Sequence, residues 1–347
     1  MAGIDKRSTK RDGKGKPRMS RSSWRETRAA LLFISPWLVG LFGLLLYPIL
    51  ASFYYSLCEY SVLEPAQYIG LGNYADLFTD EVFWKALGNT FYYACLALPL
   101  GLVMAIAVAL LLNTGVRGMT VYRTIFFLPS LMPTVALAIL WLWIFNGDYG
   151  VLNYAVSSST GWIAGQVGGL GHAMATHGMG LLGNAIMAAS QHVKAQGPPW
   201  LTDPSWSKLA FVVLSLWGVG HAVVIYLAGL QDVPVHLYEA ADLDGASWWQ
   251  KVRHVTLPTI SPVIQFNLIL GIIGSFQFFA APYVMAPNGQ PARSAYFFAM
   301  MLYDNAFPYL KMGYASAMAW VLFVIIMMCT MAALKLSSRH VHYEGGA

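Results

Sequence analysis

The chain has 347 residues, of which 57% are hydrophobic and only 11% charged, with a net charge of +5; soluble domains carry about 25% charged residues. Together with a mean hydropathy of +0.54, this excludes an ordinary water-soluble globule and points to an all-α integral membrane protein. The three cysteines, Cys58, Cys95 and Cys329, have neither the pattern of a disulfide framework nor metal-ligand spacing.

Residues 1–28 hold ten Lys and Arg against Asp5, Asp12 and Glu26. Such a segment has no core to bury and predicts a disordered basic tail, drawn to anionic headgroups by about 1 kcal/mol per cation. No nucleic-acid-binding motif accompanies the charge, whose one aromatic neighbour is Trp24, so nucleic acid is not an expected partner. The apolar run that follows is too long for a cleaved leader and lacks a small-residue cleavage site.

A membrane span needs roughly 20 mostly apolar residues. Six stretches qualify: 29–56, 88–112, 121–145, 207–230, 259–283 and 314–336. The first contains Pro36 and Pro48, which predict kinks near its ends. After it, Gly70-Leu71-Gly72-Asn73-Tyr74 predicts a turn and then a short interfacial helix anchored by Tyr74, Phe78 and Trp84. In the third stretch, Arg123 is placed to reach the cytoplasmic headgroups, while Trp141 and Trp143 mark the opposite interface. Gly218, Gly220 and His221 interrupt the fourth.

Between the third and fourth stretches lies a tract, 157–199, rich in Gly, Ala, Met and His. Seven glycines between Gly161 and Gly180 argue against a seventh span, so the tract is expected to be an external insertion with a helix near 179–193. His172, His177 and His192 lack accompanying acidic or thiol ligands, and no metal site is expected.

Six spans with the amino terminus inside place 16 of the 21 Lys and Arg on the cytoplasmic side. Lys85, Lys194, Lys208, Arg293 and Lys311 fall outside, and the acids divide evenly. The positive-inside rule therefore favours both termini in the cytoplasm. It also places the polar passage Asp232–Pro258 there.

That passage is expected to be folded. Asp232 is expected to cap a helix with Pro234 in its first turn, and Leu237, Tyr238 and Ala241 share one side of it. Gly245 should close it in the left-handed conformation, Ser247 and Gln250 form a capping box for a second helix, and Pro258 should stop that helix. Glu239, Asp242 and Asp244 crowd the first helix, which favours a cationic partner surface.

Glu239-Ala240-Ala241, three residues, Gly245, nine residues and Val255-Thr256-Leu257-Pro258 resemble the "EAA" loop of the permease subunits of binding-protein-dependent ABC importers. The family usually has Ile at the position of Val255. Val233-Pro234, Tyr238 and Asp244-Gly245-Ala246 resemble its carbohydrate branch, of the maltose and glycerol-phosphate type. So do Tyr122–Thr124, Phe126–Pro129 and Gly150 with Asn153, while Gly70–Tyr74, Phe83 with Asn89-Thr90, and Gly313–Ala317 resemble the family as a whole. The resemblance covers about residues 30–340, apart from 157–199.

The resemblance implies a permease domain over 29–340, with a coupling loop at 232–258 and a tail at 341–347. It implies a second, homologous permease subunit, two copies of a cytoplasmic ATPase and an external solute-binding protein. Coupling to the ATPase would rest on Tyr238, Glu239, Ala240, Ala241, Asp242, Asp244, Gly245, Leu257 and Pro258. The chain has no G-x-x-x-x-G-K-[ST] loop, so ATP and Mg are expected in the partner, with no cofactor and no catalytic residue here.

No span carries an acidic or basic residue near its centre, which argues against an ion-coupled pump. Small, polar and aromatic groups on the fourth and fifth stretches are the candidates for a sugar path: Trp217, Gly218, His221, Gly271, Gly274, Ser275 and Phe278. The expected activity is ATP-driven sugar import by alternating access across a prokaryotic cytoplasmic membrane. A non-sugar solute such as a phosphorylated polyol, or a standalone channel, are the alternatives.

Overall fold

A computed structural model of the chain describes residues 21–114, 116–176, 180, 184, 187–188 and 197–337. Two compact units divide at Tyr55 and Ser56. In the first unit, α1 (Arg21–Val39) runs through a widened π-turn at Gly40–Leu46 into α2 (Tyr47–Ser56). The widened turn lies between Pro36 and Pro48, whose missing donors disturb regular α bonding. Nothing in the apolar window of Thr27–Ser56 is buried by the protein itself, the mark of a helix that uses lipid as its solvent.

The second unit opens with an antiparallel hairpin that no sequence pattern announced, β1 (Cys58–Ser61) and β2 (Glu64–Tyr68), with Cys58 opposite Tyr68. Asn73 fixes its base by donating to the carbonyls of Ser56 at 2.9 Å and Cys58 at 2.8 Å. Asn73 belongs to the expected short helix, α3 (Gly72–Thr79). Asp80 then caps α4 (Glu81–Leu112), accepting from the Val82 N–H at 2.8 Å.

The third apolar stretch is not one rod. α5 (Met119–Phe127) and α6 (Thr134–Ile144) are bent by 99°. Met132 precedes Pro133, which forces it into an extended conformation, and Pro133 has no N–H to continue the ladder. Arg123 also departs from expectation: it donates to the Leu112 carbonyl at 3.2 Å, closing the end of α4 rather than reaching for headgroups.

α7 (Val151–Thr176) is a continuous helix through several glycines; the expected helix near 179–193 lies largely outside the described residues, as do residues 1–20 and 338–347. α8 (Pro204–Trp217) and α9 (Gly220–Gln231) meet at a 44° bend. The polar passage contains α10 (Val235–Leu243), α11 (Trp248–Lys251) and α12 (Leu257–Thr259). α13 (Ser261–Phe276), α14 (Ala280–Met285), α15 (Phe298–Ala306) and α16 (Met312–Ser337) complete the unit. Among the described residues, four helices are long and apolar enough to cross a membrane, or up to six if each bent pair counts as one span.

Two apolar cores hold this unit together. One joins Phe83, Tyr93, Phe211, Phe297, Phe298 and Met318. The other joins Ala105, Ile106 and Ala109 of α4 to Val223, Tyr226 and Leu230 of α9, with Val233 and Ile260.

Candidate functional site: the polar loop and a nearby cavity

The polar loop is built differently at its two ends from what the residues alone predict. Asp232 gives its N–H to the Ala228 carbonyl at 3.3 Å and so ends α9. Pro234, extended at φ −61° and ψ 129°, takes the cap position of α10 without a side-chain bond. Pro258 does not stop the second helix either. α11 continues through a π-turn at Val252–Thr256 into α12, which contains Pro258. A widened turn just before a proline relieves the clash between its ring and the carbonyl four residues back.

The centre of the loop matches the expectation closely. Gly245 has φ +72°. Its N–H bonds the Asp242 carbonyl at 3.1 Å, and the Ala246 N–H bonds that of Ala241 at 2.9 Å. These are the two bonds of a Schellman closure. Ser247 and Gln250 form the reciprocal capping box, with bonds of 2.7 and 3.5 Å.

Leu237, Tyr238 and Ala241 are half-buried on one side of α10, while Glu239, Ala240, Asp242 and Asp244 are exposed. Asp242 is not left for a partner alone, because Lys251 pairs with it at 2.7 Å. The pair is too exposed to contribute more than about 1 kcal/mol, but it ties α10 to α11. A second tie joins the Tyr238 hydroxyl to the Thr256 hydroxyl at 3.0 Å. Tyr238, Val255 and Leu257 pack on the core that holds the ends of α4 and α9. Leu257 and Pro258 are accordingly half-buried packing groups. The loop is thus a cross-braced body with its inner side embedded in the bundle. Trp248 and Trp249, both exposed, stand beside its acidic side; their adjacency in the sequence was the available signal.

A cavity of about 390 Å³ lies between α4, α8, α9 and α13. It gathers Gly218, Gly271, Gly274 and Ser275 from the predicted path, with Asn267. It also brings in Tyr93, Ser215 and Tyr226, which the sequence reading missed because α4 was not considered as a wall. Ser215 and Ser275 give their hydrogens to the carbonyls of Val212 and Ile272 within their own helices, leaving oxygen lone pairs as acceptors. A Cβ on Gly271 would fall 2.3 Å from Leu98 Cδ1, so this glycine permits close packing of α13 on α4; a Cβ on Gly274 would meet nothing within 4 Å.

Trp217, His221 and Phe278 do not line the cavity. Trp217 is exposed and sets its edge against Trp141 at 6.0 Å, and His221 meets Phe127 at 5.4 Å. The break at Gly218 turns these side chains off the face that helical spacing had assigned them. Phe278 follows the end of α13 and stacks on Tyr93 at 4.4 Å, with the rings 11° from parallel. With Phe211 and Phe297, 5.6–5.9 Å away by ring centroids, these two rings form an aromatic roof on the side of the cavity away from the loop. His172 is exposed, while His177 and His192 lie outside the described residues. Among the described residues no group of three or more His, Cys, Asp or Glu is placed to hold a metal ion.

Apolar helices around a small polar-edged cavity, with a folded polar loop joined to their ends, define a helical membrane permease. Residues 97–343 match the family described as "Binding-protein-dependent transport system inner membrane component", and the chain belongs to that family. It is 34% identical over 328 residues to the probable ABC transporter permease protein YesP of Bacillus subtilis (strain 168), covering 94% of this chain and 95% of the relative. The lactose transport system permease protein LacF of Rhizobium radiobacter is 30% identical over 308 residues, covering 88% of this chain and 91% of the relative. Among solved structures, a chain of the bacterial alginate ABC transporter in complex with alginate pentasaccharide-bound periplasmic protein has the same fold, with a TM-score of 0.70 at 22% identity. That match covers 91% of this chain and 97% of the other. The chain is therefore an ABC transporter permease of the inner membrane.

Proposed function

We propose that this chain is one of two homologous permease subunits of an ATP-driven sugar importer. It spans the membrane six times with both termini in the cytoplasm, and residues 232–258 dock on one of two copies of a cytoplasmic ATPase that holds ATP and Mg. An external solute-binding protein delivers the sugar, in keeping with the family's description. A saccharide is the substrate that the lactose permease relative supports, and the cavity's acceptor oxygens beside Tyr93 suit a solute with polar edges and apolar faces. The tract 157–199 is an external insertion, and residues 1–28 and 341–347 are tails flanking the 29–340 permease domain.

The single observation that carries this reading is the two-sidedness of the braced loop. Tyr238, Val255 and Leu257 belong to the same core as α4 and α9, whereas Glu239, Ala240 and Asp244 are exposed. A push on the exposed side is delivered to the bundle through packed side chains, not through a flexible tether. Closure of the ATPase dimer would then move the loop, and with it the walls of the cavity.

Uptake and ATPase activity of the reconstituted complex test this. Glu239→Lys should abolish ATP-driven uptake while the permease pair still inserts and assembles; normal uptake with normal ATPase docking would remove the loop from the coupling path. Topology has its own test in Ser247→Cys, which a membrane-impermeant maleimide should label only from the cytoplasmic side. Labelling from outside would overturn the six-span arrangement.

A further inference from the structure

Two lysines stand beyond the end of the cavity that faces away from the loop. On α4, Asn89 and Lys85 lie one and about two turns before Tyr93, which lines the cavity together with Ala97 and Gly101. On α8, Lys208 is seven residues, two full turns, from Ser215, another lining residue. At 1.5 Å per residue Lys208 lies roughly 10 Å beyond Ser215 along the helix. Lys208 therefore continues the lining face of α8, and both lysines lie beyond the lining residues of their helices, past the roof of Tyr93, Phe278, Phe211 and Phe297.

Lys208 Nζ lies 4.7 Å from the centre of the Tyr92 ring and 3.4 Å from Asn89 Oδ1. Asn89 in turn donates to the carbonyls of Arg293 and Tyr296. Lys85 donates to the Ala292 carbonyl at 2.7 Å. Among the described residues neither lysine pairs with a carboxylate. Arg293 lines a separate hollow with Asp80 and Asp304, so it does not add to this group. Tyr92 and Asn89 hold Lys208 half-buried against α4, where a lysine serving only lipid would extend toward the headgroups. Two like charges kept together without a counter-ion leave a site that a passing anion completes.

We propose that Lys85 and Lys208 form an anion-recognising mouth, and that the imported saccharide carries a carboxylate or sulfonate group. This deepens the sugar-import reading above and rests on it. The negative group would meet Lys208 and Lys85 first, while neutral hydroxyls pass the aromatic roof toward Ser215, Asn267 and Ser275. A neutral sugar gains nothing from the pair.

The test is uptake into proteoliposomes holding the whole transporter with its binding protein, using digalacturonate as the charged probe and galactobiose as the neutral one. The wild-type protein should favour digalacturonate by about tenfold. Lys208→Gln and Lys85→Gln should each lower its uptake several-fold without changing that of galactobiose, and Lys208→Glu should erase the preference. Because the binding protein is the same throughout, such changes belong to the permease. Faster uptake of galactobiose, with both Gln variants like wild type, overturns the anion mouth and leaves the sugar importer standing. Uptake of neither sugar overturns both readings. Vesicles with and without phosphatidylglycerol separate the remaining source of negative charge. If the variants lower uptake of both sugars alike, and only when that lipid is present, the lysines serve headgroups and the proposal fails.

Discussion

The loop of residues 232–258 and the tract between Val151 and Trp200 both leave the apolar bundle and return to it, yet they are held in opposite ways. The loop is braced throughout: Tyr238 to Thr256, Asp242 to Lys251, the closure at Gly245, and an inner side sunk into the core. The tract is fixed at its base. Asn153 donates to the Gly147 carbonyl at 3.0 Å and accepts from the Trp200 indole at 2.7 Å. Trp200 is itself buried between Phe145 and Trp206. Beyond that clasp, α7 exposes Tyr154, Trp162 and Leu170 and has no charged side chain. The loop is braced along its whole length, whereas the described part of the tract is held at its base.

Breaking the brace should cost more function than breaking the root. The largest effect is expected from Gly245→Val, because a β-branched residue at φ +72° is strained by about 2 kcal/mol. Coupled uptake should fall below a tenth of wild type while membrane insertion persists, as proteoliposome transport and surface labelling would show. Next, Asn153→Ala leaves the buried Trp200 indole without its acceptor, at a cost of about 1–3 kcal/mol. A thermal shift of several degrees with uptake per folded molecule unchanged is the expected pattern. Tyr238→Phe removes one hydroxyl bond, about 1 kcal/mol, and should lower the uptake obtained per ATP hydrolysed more than it lowers the melting temperature. The smallest effect belongs to Asp242→Asn, whose exposed ion pair contributes about 0–1 kcal/mol; a loss of uptake beyond twofold would mean that Asp242 contacts a partner.

The same contrast governs what the sequence could reveal. Gly245, Ser247 and Gln250 were readable because turn closures and caps depend on residues a few positions apart. Four of the apolar stretches were readable from length alone, and the other two correspond to bent pairs of helices. Asp232 and Pro258 were misjudged because each is absorbed by what lies next to it, the end of α9 and the π-turn before α12. At the cavity, local spacing failed wherever a helix broke. Gly218 bends the fourth stretch and carries Trp217 and His221 away from the lining, while Tyr93 and Ser215 become walls through contacts between distant helices. The hairpin of Cys58–Tyr68 had no alternating apolar pattern to announce it, since Glu59, Glu64 and Gln67 dominate its strands.

The clasp between Asn153 and Trp200 also sets how this chain can grow. Both ends of the tract meet at one buried hydrogen bond. In general, the entropy of closing a loop rises only by about 0.6 kcal/mol for each doubling of its length. Lengthening the chain behind this clasp would thus add little to the cost of its closure, which makes the tract a place to try grafting a fluorescent domain onto a working transporter.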